Sequence, residues 1–209
     1  MLPLIYQAST YGAFAAGLYD GHHHVSELLR HGDFGLGTFN ALNGEMIILD
    51  GSVYRIDGFG DVHHPPTNAQ TPFAFVTEFK AERTLEFAAP VSPETLKAAI
   101  DREMDDLNAI VAIRVEASLT GLEARSFSPQ SKPYRPFAET LGKESLLHYG
   151  NATGTIVGFR MPKNIGSLNV PGYHFHFLNK DRKQGGHVLG YKTISGTIHL
   201  MRAQKIDPI

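Results

Sequence analysis

Tyr173-His174-Phe175-His176-Phe177-Leu178, followed after a polar stretch by His187-Val188-Leu189-Gly190-Tyr191, reads as two strands folded back on each other. Histidines at i and i+2 on a strand point to one face, and Tyr173, Phe175 and Phe177 then point to the other, toward a core. The intervening Asn179-Lys180-Asp181-Arg182-Lys183-Gln184-Gly185-Gly186 is polar and ends in glycines, as a hairpin loop should. Folding back brings His187 opposite His176. His174, His176 and His187 then offer three imidazoles with a fourth position open, the ligand pattern of a catalytic rather than a structural metal site. An isolated His-x-His among eleven histidines is commonly no ligand at all; the third, hairpin-placed ring is what makes convergence possible.

Working outward, the last quarter is almost all strand: Gly154 to Met161, Gly172 to Leu178, Gly186 to Thr193 and Thr197 to Arg202. Upstream, Ala109 to Leu119 and Leu122 to Ser126 read as a hairpin around Thr120-Gly121, and Phe137 to His148 as partly helical. Ser92-Pro93-Glu94 starts a helix running to about Asp106, with a cap residue, a proline at the first position and an early carboxylate. Strands are expected at Phe73 to Lys80 and Thr84 to Ala88. Phe34 to Asn40, Glu45 to Asp50 and Ser52 to Asp57 form a meander turned at Asn43-Gly44 and Asp50-Gly51. Helices are expected from Ser9 to Tyr19 and from Val25 to His31. Runs of strands interrupted by a few helices, without strict alternation, predict an α+β fold with mixed and antiparallel sheets. The proline-rich stretch Ser128 to Pro136 suggests a boundary between an N-terminal mixed domain, residues 1–128, and a β-rich domain, residues 129–209, carrying the histidines.

Composition narrows the chemistry. Of 209 residues, 42% are hydrophobic and 19% charged, enough apolar material for a proper core. The net charge of -2 and the scattered basic residues leave no electrostatic stripe for nucleic acid. With no cysteine, disulfides, thiolate zinc sites and a cysteine nucleophile are excluded. No apolar run approaches the ~20 residues of a membrane span, and Met1 to Tyr6 lack the pattern of a signal peptide; a soluble, cytoplasmic protein is expected. Gly32, Gly35 and Gly37 precede a strand instead of joining a strand to a helix, the wrong order for a phosphate loop. His22-His23-His24 cannot converge from one face of a helix or strand, and His63-His64 lies in a proline loop, so both are read as surface groups. Among metals, zinc suits three imidazoles and an open tetrahedral position, although ligand type alone also admits copper, iron, nickel or manganese.

Several blocks in register resemble the α-acetolactate decarboxylase family. They are Tyr6-Gln7-Ala8-Ser9-Thr10, His31 to Asn40 with Leu42-Asn43-Gly44-Glu45, Gly154 to Arg160, Tyr173 to Phe177 and Asp181 to His187. The resemblance implies a two-domain homodimer that decarboxylates 2-hydroxy-2-methyl-3-oxobutanoate, a small 2-hydroxy-3-keto acid, to (R)-acetoin. It implies Zn2+ on His174, His176 and His187, an active-site arginine at Arg125, a glutamate at Glu45 and a substrate-positioning threonine at Thr38. In that chemistry a metal stabilises the enediolate left when carbon dioxide departs, and Arg125 orients the carboxylate by paired hydrogen bonds. Taken without the resemblance, Arg125, Glu45 and Thr38 are ordinary strand and turn residues. Family members commonly continue into a longer C-terminal tail with a second active-site glutamate, which no residue here matches; closure of the site and proton transfer are the steps this touches. Two other readings stay open at the sequence level: a non-catalytic metal or keto-acid binding protein, and a related metal-dependent lyase or isomerase.

Overall fold

The computed structural model describes residues 3–209. In chain order the first elements are β1 (Ile5–Ala8), α1 (Tyr11–Ala15), β2 (His23–His24), α2 (Val25–Leu28), β3 (Phe34–Thr38), β4 (Glu45–Leu49), β5 (Ser52–Ile56), β6 (Val62–His63), β7 (Gln70–Thr71) and β8 (Ala74–Thr77). There follow β9 (Arg83–Val91), α3 (Pro93–Met104), β10 (Ile110–Ser126), α4 (Phe137–Thr140), β11 (Ser145–Met161), β12 (Gly172–Asn179), β13 (Gly185–Gly190), β14 (Thr193–Ala203) and β15 (Ile206–Pro208). The α+β class with mixed and antiparallel sheets is therefore the observed one.

One sheet has the strand order β15-β1-β8-β3-β4-β5-β6, antiparallel except for the parallel β1–β15 pair. A second runs β11-β12-β13-β10-β14-β9, an added β10–β11 pairing closes β10, β11, β12 and β13 into a ring, and β2 and β7 form a separate two-stranded ribbon. The strands divide between sheets after β8, with only β15 returning, so β9 and β10 share a sheet with the histidine strands and the 128/129 boundary does not coincide with the division between sheets.

Alternation along the strands builds three cores. Leu36, Ile47, Leu49 and Phe75 of the first sheet pack against Ala112, Val157, Phe159 and Met201 of the second. Val111, Ile113, Val115, Phe175, Phe177 and Ile198 fill the second sheet's other face, beneath Leu96 and Ile100 of α3. Met46, Ile48 and Val76 lie on the far side of the first sheet against Val25 and Leu28 of α2. The functional question concerns the first interface, where polar side chains interrupt the apolar packing.

Three local expectations are corrected. Residues 110–126 form one strand and not a hairpin: Thr120-Gly121 is an irregularity, with register shifts between Leu119 and Leu122 and between Leu122 and Glu123. A Thr-Gly pair satisfies a turn and a bulge equally, because both need the left-handed backbone that Gly121 adopts at φ 61°. Helix α4 is a single turn, and His148 lies within the long strand β11. Helix α1 is also shorter than the expected Ser9–Tyr19 span, capped by Thr10, whose hydroxyl accepts the Ala13 N–H.

A candidate metal centre and its cavity

The β12–β13 register sets His176 opposite His187, and His174 follows on the same face two residues away. His174 Nε2 lies 3.2 Å from His176 Nε2 and 3.1 Å from His187 Nδ1. Tetrahedral zinc with bonds of ~2.0–2.1 Å puts its ligand nitrogens about 3.3 Å apart, so these are the separations of a ligand set. Burial keeps all three rings neutral. It lowers His176 to about 4, with the Met46 carbonyl opposing and Arg125 adding, and holds His174 and His187 well below the usual imidazole value, with neighbouring rings and Arg125 adding. A neutral imidazole offers the lone pair a metal needs.

The hydrogen bonds agree with that state. His176 Nδ1 donates to the Met46 carbonyl at 2.9 Å, which leaves its Nε2 bare and aimed at the other two rings. His174 Nε2 has at most one hydrogen for two neighbouring nitrogens, so the cluster is under-satisfied as hydrogen bonds alone. A cation among the three nitrogens satisfies them all, and the residues present fit a metal. Among the described residues, this trio is the group of His, Asp and Glu side chains with metal-ligand convergence.

Glu45 and Thr38 reach the same place from the first sheet, where they are cross-strand partners at the β3–β4 turn. Gly44 shapes that turn at φ 86°, where a Cβ would stand 2.2 Å from the Ile56 carbonyl oxygen. The Thr38 hydroxyl donates to the Gly44 carbonyl at 2.7 Å and so braces the residue before Glu45. Glu45 Oε2 then lies 3.4 Å from His176 Nε2. Burial pushes the Glu45 carboxyl up to about 8, with the Arg125 charge opposing.

Arg125 owes its place to the irregularity in β10. Before it, Val111, Ile113, Val115, Ala117 and Leu119 belong to the α3 core; after it Leu122 does, so the buried parity changes from odd to even. The slip turns Arg125 onto the histidine face, where its cross-strand partner is His187. Its guanidinium lies 5.6 Å from the Phe127 ring centroid and 5.7 Å from that of Phe137. Its Nη1 lies 3.6 Å from Glu144 Oε1, beyond hydrogen-bonding range, and its buried Nε has no protein acceptor. Such a guanidinium keeps its donors for an incoming anion.

These groups open into a cavity of about 200 Å³ lined by Thr38, Glu45, Arg125, His174 and His187 at polar positions. Tyr11, Phe14, Leu42, Phe73, Phe137 and Val170 supply apolar wall. Sequence reasoning missed this wall and Glu144, because they come from α1, a 3-10 turn and loops whose residues show no periodic pattern. The other histidines do not join the centre. His23 pairs with Glu27 at 3.1 Å, His24 with the Asn68 carbonyl at 2.9 Å, and His63 with Asp57 at 2.6 Å. Among the described residues no helix is long and apolar enough to cross a membrane.

Comparison with known proteins points the same way. The alpha-acetolactate decarboxylase of Methylococcus capsulatus is 41% identical over 94% of this chain and 75% of its own length. That of Methanosarcina mazei is 39% identical over 92% and 67%. The crystal structure of alpha-acetolactate decarboxylase from Bacillus subtilis superposes with a TM-score of 0.94 at 33% identity, covering 99% of this chain and 88% of the other. A Staphylococcus aureus protein described as similar to alpha-acetolactate decarboxylase gives a TM-score of 0.90 at 27% identity, over 98% and 88%. With the family's sequence model matching residues 5–208, on a fold and a histidine centre already evident from the chain itself, this protein belongs to the alpha-acetolactate decarboxylase family.

Proposed function

We propose that the protein decarboxylates 2-hydroxy-2-methyl-3-oxobutanoate, acetolactate, to (R)-acetoin, with Zn2+ held by His174, His176 and His187. The observation that carries this reading is the meeting of three neutral imidazole nitrogens with a guanidinium whose donors are free, in one small cavity. Loss of carbon dioxide breaks the bond to the carboxylate carbon and moves its electron pair toward the former ketone oxygen, giving an enediolate. A bound divalent metal supplies positive charge where that electron density accumulates.

The chain's own residues do the rest. Arg125 binds the substrate carboxylate by paired hydrogen bonds and holds the breaking bond in one orientation. Glu45 is the carboxyl group nearest the imidazole cluster, 3.4 Å from His176 Nε2, and its fixed position on β4 lets it pass a proton to one face only. Thr38 keeps Glu45 in place through Gly44 and offers its hydroxyl lone pairs to the substrate hydroxyl. The apolar walls exclude water and accept the methyl groups. We propose as well that the protein works in the cytoplasm as a homodimer of the 23.0 kDa chain, as the family likeness implies.

The test adds racemic acetolactate to metal-analysed protein and follows acetoin and its chirality. One zinc per chain and (R)-acetoin formed well above the spontaneous rate are expected; bound zinc without turnover refutes the reading. Arg125→Ala should keep the metal and lose about 10²–10³-fold in kcat/KM, the scale for removing one fixed electrostatic group. Full activity in that variant removes Arg125 from the mechanism.

A further inference from the structure

The block Tyr6 to Thr10 supplies no group to the chemistry above, yet it contains Gln7, which is 1% exposed. Its carboxamide donates to the Ser9 and Leu168 carbonyls, both at 2.8 Å, and its oxygen accepts from Asn169 Nδ2 at 2.6 Å. Asn169 is 0% exposed, and its oxygen accepts the Val170 N–H at 2.6 Å. The two amides thus tie the start of α1 to the loop between β11 and β12. Backbone bonds run beside them, Tyr11 N–H to the Leu168 carbonyl at 3.1 Å and Gly12 N–H to the Ser167 carbonyl at 2.8 Å. The approach is close: a Cβ on Gly12 would stand 2.9 Å from Ser167 Cβ.

Both sides of this clamp deliver side chains to the cavity. Tyr11 and Phe14 come from α1, and Val170 comes from the loop, directly after Asn169. They are apolar wall, suited to the substrate's alkyl groups and not to its carboxylate. A buried, fully paired amide cluster holds one geometry, because any displacement leaves polar groups unpaired away from water.

We propose that Gln7 and Asn169 are positioning residues whose clamp fixes Val170 relative to Tyr11 and Phe14, and thereby limits the alkyl substituent the cavity accepts. This rests on the acetolactate reading of the site. One methylene in an apolar pocket commonly decides 10–200-fold in specificity, so a shifted wall is measurable. Asn169→Ala removes the bond to Gln7 and the acceptor for Val170. Gly12→Ala leaves every clamp residue in place and pushes the loop outward from the helix side.

The experiment compares kcat/KM for acetolactate and its 2-ethyl homologue in wild type, Asn169→Ala and Gly12→Ala, all zinc-loaded. Calorimetric affinities for the corresponding 2,3-dihydroxy acids, which lack the ketone and cannot lose carbon dioxide, give a second readout. Retained zinc and an ethyl-to-methyl ratio raised at least about threefold in both variants and both readouts are expected. Equal losses for both substrates, or unchanged ratios, overturn the clamp's role while the activity reading stands. Should Asn169→Ala not fold, Gly12→Ala decides the matter alone. Wild type inactive on acetolactate refutes the reading and the proposal with it.

Discussion

Among the described residues, Glu144 is the carboxylate within ion-pair distance of Arg125. Glu144 approaches Arg125 Nη1 to 3.6 Å, with the arginine and glutamate side chains 15% and 11% exposed, and the other Glu144 oxygen accepts the Gly142 N–H. The Phe127 and Phe137 rings, their centroids 5.8 Å apart, lie together beside the guanidinium, and Glu144 is the charged group that bears on its orientation. Glu144→Ala should therefore destabilise the fold by about 2 kcal/mol, below the 3–5 kcal/mol for a fully buried pair because contact is loose, and lower kcat/KM about tenfold. Glu144→Gln keeps the acceptor for the Gly142 N–H but not the charge, so it should recover part of the stability and little of kcat/KM; thermal melts with steady-state kinetics check this, and an alanine variant indistinguishable from wild type would refute it. The ligand trio was legible in the sequence because strand parity and a hairpin loop are local facts. Glu144, Phe137 and Val170 were not: Glu144 and Val170 lie in irregular segments and Phe137 opens the single turn α4, and the path of each depends on what it packs against.

At the scale of elements, β10 shows what local reading sees and what it does not. The alternating pattern identified both halves as strand, but whether the chain reverses at Thr120-Gly121 depends on partners. Here β11 pairs along both halves of β10, from Val111 to Ser126, and holds them in line through the irregularity. The meander β3-β4-β5 and helix α3 were legible because turn pairs and the Ser92-Pro93 cap act within a few residues. Helix α3 is then pinned by a contact between distant residues: Arg160 of β11, 3% exposed, donates to Asp101 Oδ1 at 2.6 Å and to the Asp106 carbonyl at 2.6 Å. Tyr173 of β12 donates to the same Asp101 oxygen at 2.7 Å. Asp101→Ala leaves the Arg160 charge enclosed without its carboxylate. It should cost about 3 kcal/mol, at the low end for a broken buried pair because the Asp101 side chain is 36% exposed. The expected signature is a lower urea midpoint with zinc content unchanged; an unmoved midpoint would show that α3 is held by its apolar face alone.

For the molecule as a whole, the centre imposes a pH dependence on stability whose sign follows from the shifts. The three histidines have lowered folded values, so between about 4.5 and 6.5 the unfolded chain binds three protons that the native chain refuses. Glu45 is raised to about 8, so over the same range the native chain keeps one proton that the unfolded chain has lost. The net excess on the unfolded side makes metal-free stability rise with pH by up to about 2–3 kcal/mol per unit. The unfolded imidazoles are half deprotonated at about 6.5, so the balance reverses just below pH 7; Glu45 then dominates, and stability falls by less than about 1 kcal/mol per unit and levels past pH 8. The other shifted groups stay outside this window: the lowered carboxyls of Asp20, Glu27, Asp57 and Glu94 titrate below it, and the raised tyrosines and lysines above it. Chelated protein should therefore show a melting maximum near pH 7. On the proposed reading, zinc bound to the native state in preference to the unfolded chain should add up to about 4 kcal/mol at a thousandfold excess over its dissociation constant. Its charge beside Glu45 also favours the carboxylate and removes the alkaline decline. Melting curves from pH 5 to 8.5, with and without zinc, decide this: a flat metal-free profile would mean that the imidazoles and Glu45 do not face one another as described.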